Sequence, residues 1–351
     1  MVINWLLLFV PVSAFLAYGT HVPAPWIFLT ALLAIVPLAD RIRFATEQLA
    51  HRAGSAVGGL LNITFGNLAE LIIALFVLSA GSVEVVKAQI TGSIVGNSLL
   101  GLGLAIVIGG WGKERQSFKP QRASLLSSLL ILSVIALLLP AFFDIAERHE
   151  NAANRVISDE RVSLGVAIVL ILVYLANLAY TLRTHRDVFA FDEHPDPNAW
   201  PCWKSLGLLV AATALLSFEA ELLSSALEQT ATGFGVSTFF LGIVVLAVVG
   251  NIAEYISAVY FARRDRMGLV ITITAGSTIQ VALLTAPVLV IASQFMPHRL
   301  DLVFNNPLEL IAIAATAFAV NSISQDGETT WFEGVLLLAV YVLLGVAFFY
   351  L

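Results

Sequence analysis

Two short motifs place a carboxylate inside long apolar stretches of the chain. One is Gly-Asn-Leu-Ala-Glu at 66–70, and the other is Gly-Asn-Ile-Ala-Glu at 250–254. A charged side chain at membrane depth costs roughly 2.5 kcal/mol or more on insertion scales, so an acid there indicates a functional site. Residues three apart share a helix face, so each asparagine is expected to point the same way as its glutamate, Glu70 or Glu254.

The two motifs belong to a longer internal similarity. At a constant offset of 184 residues, 11 of the 35 positions from 66 to 100 are identical, among them Gly, Asn, Glu, Gly and Ser. Shared hydrophobicity would align leucines, but it would not align these polar residues and glycines. The pattern predicts an internal duplication of the kind found in transporters with inverted repeats.

Composition excludes a soluble domain. The 351 residues are 59% hydrophobic and 12% charged, with a mean hydropathy of +0.90, whereas about 25% charged residues is typical of soluble proteins. A net charge of −6 and basic residues confined to short clusters give no support for nucleic-acid binding. The single cysteine, Cys202, can form neither an intramolecular disulfide nor a thiolate cluster.

Apolar runs long enough to cross about 30 Å of hydrocarbon predict an all-α polytopic membrane protein with about eleven transmembrane helices. They lie at 2–18, 24–40, 57–80, 84–111, 123–146, 162–183, 204–228, 236–262, 268–296, 307–322 and 331–351. Lys and Arg concentrate in the loops that follow the even-numbered spans up to the eighth. The positive-inside rule therefore places the N-terminus in the cytoplasm and the C-terminus outside.

This orientation makes the repeats antiparallel, since the two motif-bearing spans run in opposite directions. We predict an extra N-terminal helix (1–20), a first five-helix repeat (21–183), a cytoplasmic acidic linker (184–203) and a second five-helix repeat (204–351). The linker is either an inert connector or a regulatory, calcium-sensing segment.

The candidate ligands are oxygens. Glycine before each asparagine permits a helix break, and a broken helix at the midplane releases carbonyls that can bind a cation. Two carboxylates, freed carbonyls, amides and hydroxyls suit Ca²⁺, which takes 6–8 oxygens at about 2.4 Å. The absence of His and Cys from both motifs argues against zinc or copper. The candidates are Glu70 and Glu254, the carbonyls of Gly66 and Gly250, and Asn67, Asn251, Ser93, Ser277, Gln280 and Asn97.

Each candidate has a structural alternative. The acids could bond neighbouring helices, and the serines could bond back to their own helix. Glu219, Glu221, Glu47 and Glu228 are expected near helix ends or as supporting partners of the site.

Proton coupling follows from the paired acids. Burial and mutual repulsion both favour the protonated carboxyl when the site is empty, whereas a bound divalent cation favours the ionised form. Ca²⁺ and H⁺ therefore compete, which with alternating access makes an antiporter. No nucleophile or phosphate-binding loop is visible, so we expect neither an enzyme nor an ATP-driven pump.

The motifs at 66–72, 250–254 and 276–281 resemble the two signature regions of the Ca²⁺/H⁺ exchanger (CAX) family, within the cation/calcium exchanger superfamily. The resemblance covers nearly the whole chain. It implies Ca²⁺ transport without a cofactor, ligation by Glu70 and Glu254 with the Gly66 and Gly250 carbonyls, water-mediated help from the amides and hydroxyls, and rocking of the second and seventh helices. One departure is Tyr255, where many eukaryotic members carry His, which removes support for a proton relay at that position.

Three alternatives stay open. Na⁺/Ca²⁺ exchangers share the architecture but place Ser, Thr and Pro before the acid of the first motif and an Asp in the second. A cation channel could share the acidic pair, and a scaffold protein could hold a structural Ca²⁺. The expected partners are Ca²⁺, H⁺ and the lipid bilayer, in a membrane that we expect to be a prokaryotic inner membrane. Whether copies form a homo-oligomer is left open by the sequence.

Overall fold

The computed structural model describes residues 2–147, 152–181 and 199–351, with side chains described for all of these except 2–3, 53–64, 121–122 and 152–155. Within those ranges the chain is almost entirely helical. The α-helices are Val2–Trp5, Phe9–Gly19, Ala24–Phe65, Leu68–Ser79, Val83–Val95, Leu102–Gly110, Pro120–Ala146, Ala152–Ala179, Cys202–Phe234, Thr238–Phe240, Ala247–Gly250, Ile252–Ala262, Met267–Gln280, Ala286–Ser293, Pro307–Ser324 and Trp331–Phe349. A 3₁₀ turn, Leu6–Leu8, and three π-helical turns, Gly96–Gly101, Leu241–Leu246 and Val281–Thr285, join some of them end to end.

Seven helices in the described ranges are long and apolar enough to cross a membrane, and an eighth span results if the bent pair Thr238–Gly250 and Ile252–Ala262 counts as one. The seven are Val83–Gly110, Ala123–Ala146, Val156–Ala179, Cys202–Phe234, Met267–Ser293, Pro307–Ser324 and Trp331–Phe349. Leu6–Gly19 and Leu68–Ser79 are shorter apolar helices. The fold is therefore that of a helical membrane protein, while eleven spans remains a prediction.

The predicted loop between 40 and 57 is wrong. Helix Ala24–Phe65 continues through this stretch, because its polar residues alternate with apolar ones at helical spacing. Ile42 and Ala45 are buried, while Arg43 pairs with Asp40 at 3.2 Å and with Glu47 at 3.4 Å on the outward side. The fall in hydropathy in this stretch predicts a loop, whereas the apolar residues recur with a period of about 3.6, which indicates an amphipathic helix.

The helix Cys202–Phe234 runs antiparallel to the first part of that long helix. At one end, a Cβ built on Gly233 would lie 3.2 Å from Pro25, and at the other end Arg52 donates to the Ala199 carbonyl at 2.7 Å. The helix ends at Gly235, whose φ of +66° is the left-handed conformation that favours glycine at a helix end. It therefore extends six residues beyond the predicted end at 228.

One departure from the sequence prediction lies outside the helix bundle. Gln116–Ser117 and Glu328–Thr329 pair as a two-residue antiparallel ladder, with Gln116 opposite Thr329, so the chain is not strictly all-α. Arg115 reinforces this ladder through Glu328 at 2.8 Å. Most of the predicted acidic linker, residues 184–198, lies outside the described ranges, and the boundaries drawn at 20, 183 and 203 remain predictions.

Candidate functional site

Both motif-bearing helices are interrupted at the asparagine. Helix Ala24–Phe65 stops before Gly66, and a new helix begins at Leu68. The second motif breaks at Asn251, where the chain bends by 52°. Asn67 has φ −97° and ψ 21°, and Asn251 has φ −111° and ψ 12°, so the two breaks share one backbone conformation.

The breaks place both acids at helix N-termini. Glu70 is the third residue of helix Leu68–Ser79, and Glu254 is the third residue of helix Ile252–Ala262. The first amides of a helix lack intrahelical partners and carry partial positive charge, which stabilises a carboxylate nearby. Gly250 is the last residue of the helix that precedes the second break. Gly66 lies within the first break.

The helix that follows each broken helix carries a π-helical turn at a matching place. The turn at 96–101 corresponds, at the offset of 184 residues, to the turn at 281–285. Such turns are rare and occur often at functional sites, because they change the direction of the side chains on either side. The sequence did not predict them.

Hydrogen bonds cross between the two halves of the chain in a reciprocal pattern. Asn67, from the first half, accepts from the Ser277 hydroxyl at 3.0 Å and donates to the Ser277 carbonyl at 3.3 Å. Asn251, from the second half, donates to the Ser93 hydroxyl at 3.0 Å. All four residues are buried. The asparagine of each motif thus binds the serine that follows the other motif.

Asn97 joins the two sets of bonds. Its Nδ2 donates to Asn251 Oδ1 at 2.9 Å and to Ser277 Oγ at 3.0 Å. Its own Oδ1 is buried and has no hydrogen-bond partner within the described residues. The Asn97 side chain therefore lies where residues of both motifs meet, with one oxygen still available.

The two acids lie against this network. Glu70 is 1% exposed and Glu254 is 9% exposed. Gly250 packs on Glu70, since a Cβ built there would lie 3.5 Å from Glu70 Cβ. Ser93 and Asn251 are near the Glu70 carboxyl, but no hydrogen bond of regular geometry reaches either of its oxygens within the described ranges. Buried acids without partners can accept a cation or a proton.

Gln280 is the predicted residue that the structure does not bring into this network. It is half-buried at the end of helix Met267–Gln280, and its side chain makes no hydrogen bond to the other candidates in the described part of the chain. Its equivalent in the first half is Gly96, so the two halves differ here.

Three residues of the site were missed. Gln89 donates to the Glu70 carbonyl at 3.3 Å, and its position eight residues before Asn97, two helical turns along the same face, could have revealed it. Ser98 and Thr278 form a buried hydrogen bond at 2.8 Å next to Asn97 and Ser277. The comparison of the repeats did not reveal them, because the equivalent residue in the other half is of a different type in both cases.

The donors are mostly neutral. Among the residues that the structure describes, no three His, Cys, Asp or Glu side chains converge as a metal-binding group. A cation held here would therefore be bound by two carboxylates together with amide, hydroxyl, carbonyl or water oxygens. That donor set suits a hard cation such as Ca²⁺.

Comparisons with known proteins identify the family of this chain. The family model described as sodium/calcium exchanger protein matches residues 23–183 and 204–350. The Ca²⁺/H⁺ antiporter of Aphanothece halophytica is 41% identical over 98% of this chain and 95% of its own length. The Ca²⁺/H⁺ antiporter ChaA of Bacillus subtilis is 39% identical over 94% of each chain.

One solved structure has a fold similar to that of this chain. The crystal structure of the Ca²⁺/H⁺ antiporter protein YfkE superposes with a TM-score of 0.84 at 36% identity, covering 100% of this chain and 99% of that one. The family match, the full-length identities and the structural similarity all indicate one family. The chain therefore belongs to the sodium/calcium exchanger protein family.

Proposed function

We propose that this chain is an integral membrane antiporter that exchanges Ca²⁺ for H⁺ by alternating access. The observation that carries the proposal is the pair of buried acids, Glu70 and Glu254, each three residues after an asparagine at a helix break whose side chain bonds to the opposite half of the chain. Full-length relatives named Ca²⁺/H⁺ antiporters support the choice of ions. Those relatives are transporters and not enzymes, in agreement with the sequence prediction.

The two carboxylates bind either Ca²⁺ or protons. A bound divalent ion replaces their mutual repulsion with attraction, so it expels protons, and protonation in turn expels the ion. Acidic conditions therefore weaken Ca²⁺ binding, and this competition couples the two fluxes. The carbonyls of Gly66 and Gly250 complete the cation's shell, and Asn67, Asn251, Ser93, Ser277 and Asn97 orient its waters. We retain Gln280 as a more distant, water-mediated contact.

The proposed architecture is one extra helix and two inverted five-helix repeats, which together make eleven spans. The reciprocal bonds Asn67–Ser277 and Asn251–Ser93 support it, since a two-fold relation makes residue i contact j while the equivalent of i contacts the equivalent of j. The helix pair Ala24–Phe65 and Cys202–Phe234 rocks as the gate. We place the chain in a prokaryotic inner membrane with its N-terminus in the cytoplasm and its C-terminus outside.

The rival functions fit these observations less well. A Na⁺-driven exchanger shares the family but not the ions named for the relatives above. A channel does not need a duplicated, closed pair of acids. A scaffold with a structural Ca²⁺ does not need two reciprocal sets of ligands.

Transport by purified protein in liposomes tests the proposal. An imposed pH gradient should drive uptake of radioactive calcium, and Glu70→Gln or Glu254→Gln should abolish it. Glu328→Gln, which changes an acid in the surface ladder, is the matched control and should transport like the wild type. Equal uptake driven by a Na⁺ gradient at constant pH would assign the chain to the rival exchangers. Unchanged flux in either site variant would remove that acid from the mechanism.

A further inference from the structure

A third carboxyl group lies at membrane depth, outside the candidate site. Glu219 is in the middle of helix Cys202–Phe234, which crosses the membrane by length and composition, and its side chain is 0% exposed. The sequence offered two interpretations of Glu219, a position near a helix end or a supporting partner of the site, and the structure excludes the first, since Glu219 lies mid-helix. An acid at this depth is costly to bury and rarely lacks a role.

The polar neighbour of Glu219 comes from the N-terminal helix. Ser13, itself 0% exposed, has its Oγ 2.8 Å from Glu219 Oε1 and 2.8 Å from the Val10 carbonyl oxygen. A hydroxyl group has one hydrogen to donate. It can therefore donate to the acid or to the carbonyl, but not to both.

If Glu219 were ionised, its burial would be poorly compensated. Ser13 would have to donate to Oε1, while Oε2 is buried and has no hydrogen-bond partner in the described ranges. Nor does any ion pair reach Glu219 within those ranges. A buried carboxylate without a cation and with one neutral donor is strongly unfavourable.

If Glu219 is protonated, both contacts are explained. The acid O–H donates to Ser13 Oγ, and the Ser13 hydroxyl donates to the Val10 carbonyl, as serine often does within a helix. No charge is buried, and each short distance is a hydrogen bond.

We propose that Glu219 is a protonated carboxylic acid that docks the N-terminal helix onto helix Cys202–Phe234, as a proton-binding site separate from the central pair. The stack of Tyr18 on Phe218, with ring centroids 6.3 Å apart, extends the same interface. The role of this interface rests on the proposed function. If helix Cys202–Phe234 rocks during transport, the N-terminal helix moves with it, and the Glu219 proton stays in place while the central protons are exchanged.

Infrared spectroscopy of the purified protein in lipid reports the protonation state directly. At neutral pH, Glu219→Gln should remove one protonated-carboxyl band from the wild-type spectrum, and Ser13→Ala should shift that band because its hydrogen-bond acceptor is gone. Glu228→Gln, which changes an exposed acid on the same helix, should leave that protonated-carboxyl band in place. If Glu219→Gln removes only ionised-carboxylate absorption, the proposal is overturned.

Stability and transport supply an independent test. Glu219→Gln keeps a neutral donor, so it should unfold at the wild-type temperature and transport within about two-fold of the wild type, with an unchanged pH profile. Glu219→Ala and Ser13→Ala should both lower the unfolding temperature. A Gln variant as unstable as the Ala variant would show that the charge is needed, and a shifted pH profile would show that this proton is exchanged. Either result would refute the proposal. The spectroscopic result does not depend on Ca²⁺/H⁺ exchange, so the two proposals can fail separately.

Discussion

Replacing Gly92 by alanine should disrupt the site, because Gly92 directly precedes Ser93. Gly92 faces the π-helical turn Leu241–Leu246, and a Cβ built on it would lie 1.9 Å from the Ile243 carbonyl oxygen and 2.7 Å from Ala247 Cβ. Ordinary van der Waals contact begins at 3.4 Å, so the two helices must separate by about 1.5 Å. The obstacle is backbone, which cannot rotate out of the way.

The size of the effect follows from this displacement. Overpacking a tight contact typically costs about 1–3 kcal/mol. Ser93, the next residue, accepts a hydrogen bond from the Asn251 amide at 3.0 Å. A shift larger than about 1 Å takes that bond beyond hydrogen-bonding distance. We expect Gly92→Ala to lower the unfolding temperature and to reduce Ca²⁺ transport by about ten-fold or more.

The equivalent glycine of the second half provides the control. Apart from the backbone of its own helix and its two chain neighbours, no described residue has an atom within 4 Å of a Cβ built on Gly276, so Gly276→Ala gains the same helix propensity without the collision. Both variants are assayed for proton-driven uptake in liposomes and for thermal unfolding in detergent. Equal behaviour of the two variants, or wild-type transport by Gly92→Ala, would refute the close helix approach on which the prediction depends.

Two further predictions concern other buried polar contacts. Asn97→Val should reduce transport by about thirty-fold, since it removes two hydrogen bonds worth about 1 kcal/mol each. Adding Val281→Asn should restore part of the loss. A double variant no more active than Asn97→Val would contradict the proposed two-fold relation. Lys87 is 3% exposed and binds Asp301 at 2.8 Å, while Asp301 is 29% exposed. Asp301→Asn should therefore lower the unfolding temperature more than Lys87→Met, because it leaves the more deeply buried charge with only the exposed Glu84 carboxylate at 3.4 Å and the Val303 carbonyl at 2.9 Å. The opposite order in thermal unfolding would refute this.

The sequence was sufficient to find the acids because a charge is expensive in lipid. Glu70 and Glu254 stand in apolar surroundings and recur at one offset, so their chemistry was visible without any knowledge of neighbours. The asparagines and serines followed from the same offset and from helical spacing. Hydrogen bonds join the asparagines and serines across the two halves, while the role of these residues and of the two acids in binding ions stays a prediction.

Other features could not be read from the sequence, since they depend on packing between distant segments. Hydropathy suggested a loop at 41–56, but neighbouring helices bury Ile42 and Ala45, so an amphipathic helix continues there. The π-helical turns arise from tertiary contacts and have no residue signature. Glu219 was set aside because nothing in the sequence showed that Ser13, 206 residues away, would reach it.

The difference between the two halves at Asn97 is itself informative about symmetry. In the proposed inverted arrangement, a residue far from the two-fold axis has its own space, so both copies can keep the same type, as the motif asparagines and glutamates do. A residue near the axis meets its equivalent, and the shared space has room for a single large polar group. Asn97 contacts both Asn251 and Ser277, whereas its equivalent at the offset, Val281, is fully buried and apolar. An amide moved to position 281 would face Asn67 and Ser93 instead, and these present the same groups as the original partners. The difference between Asn97 and Val281 is therefore expected for a residue that lies where the two halves of the protein meet.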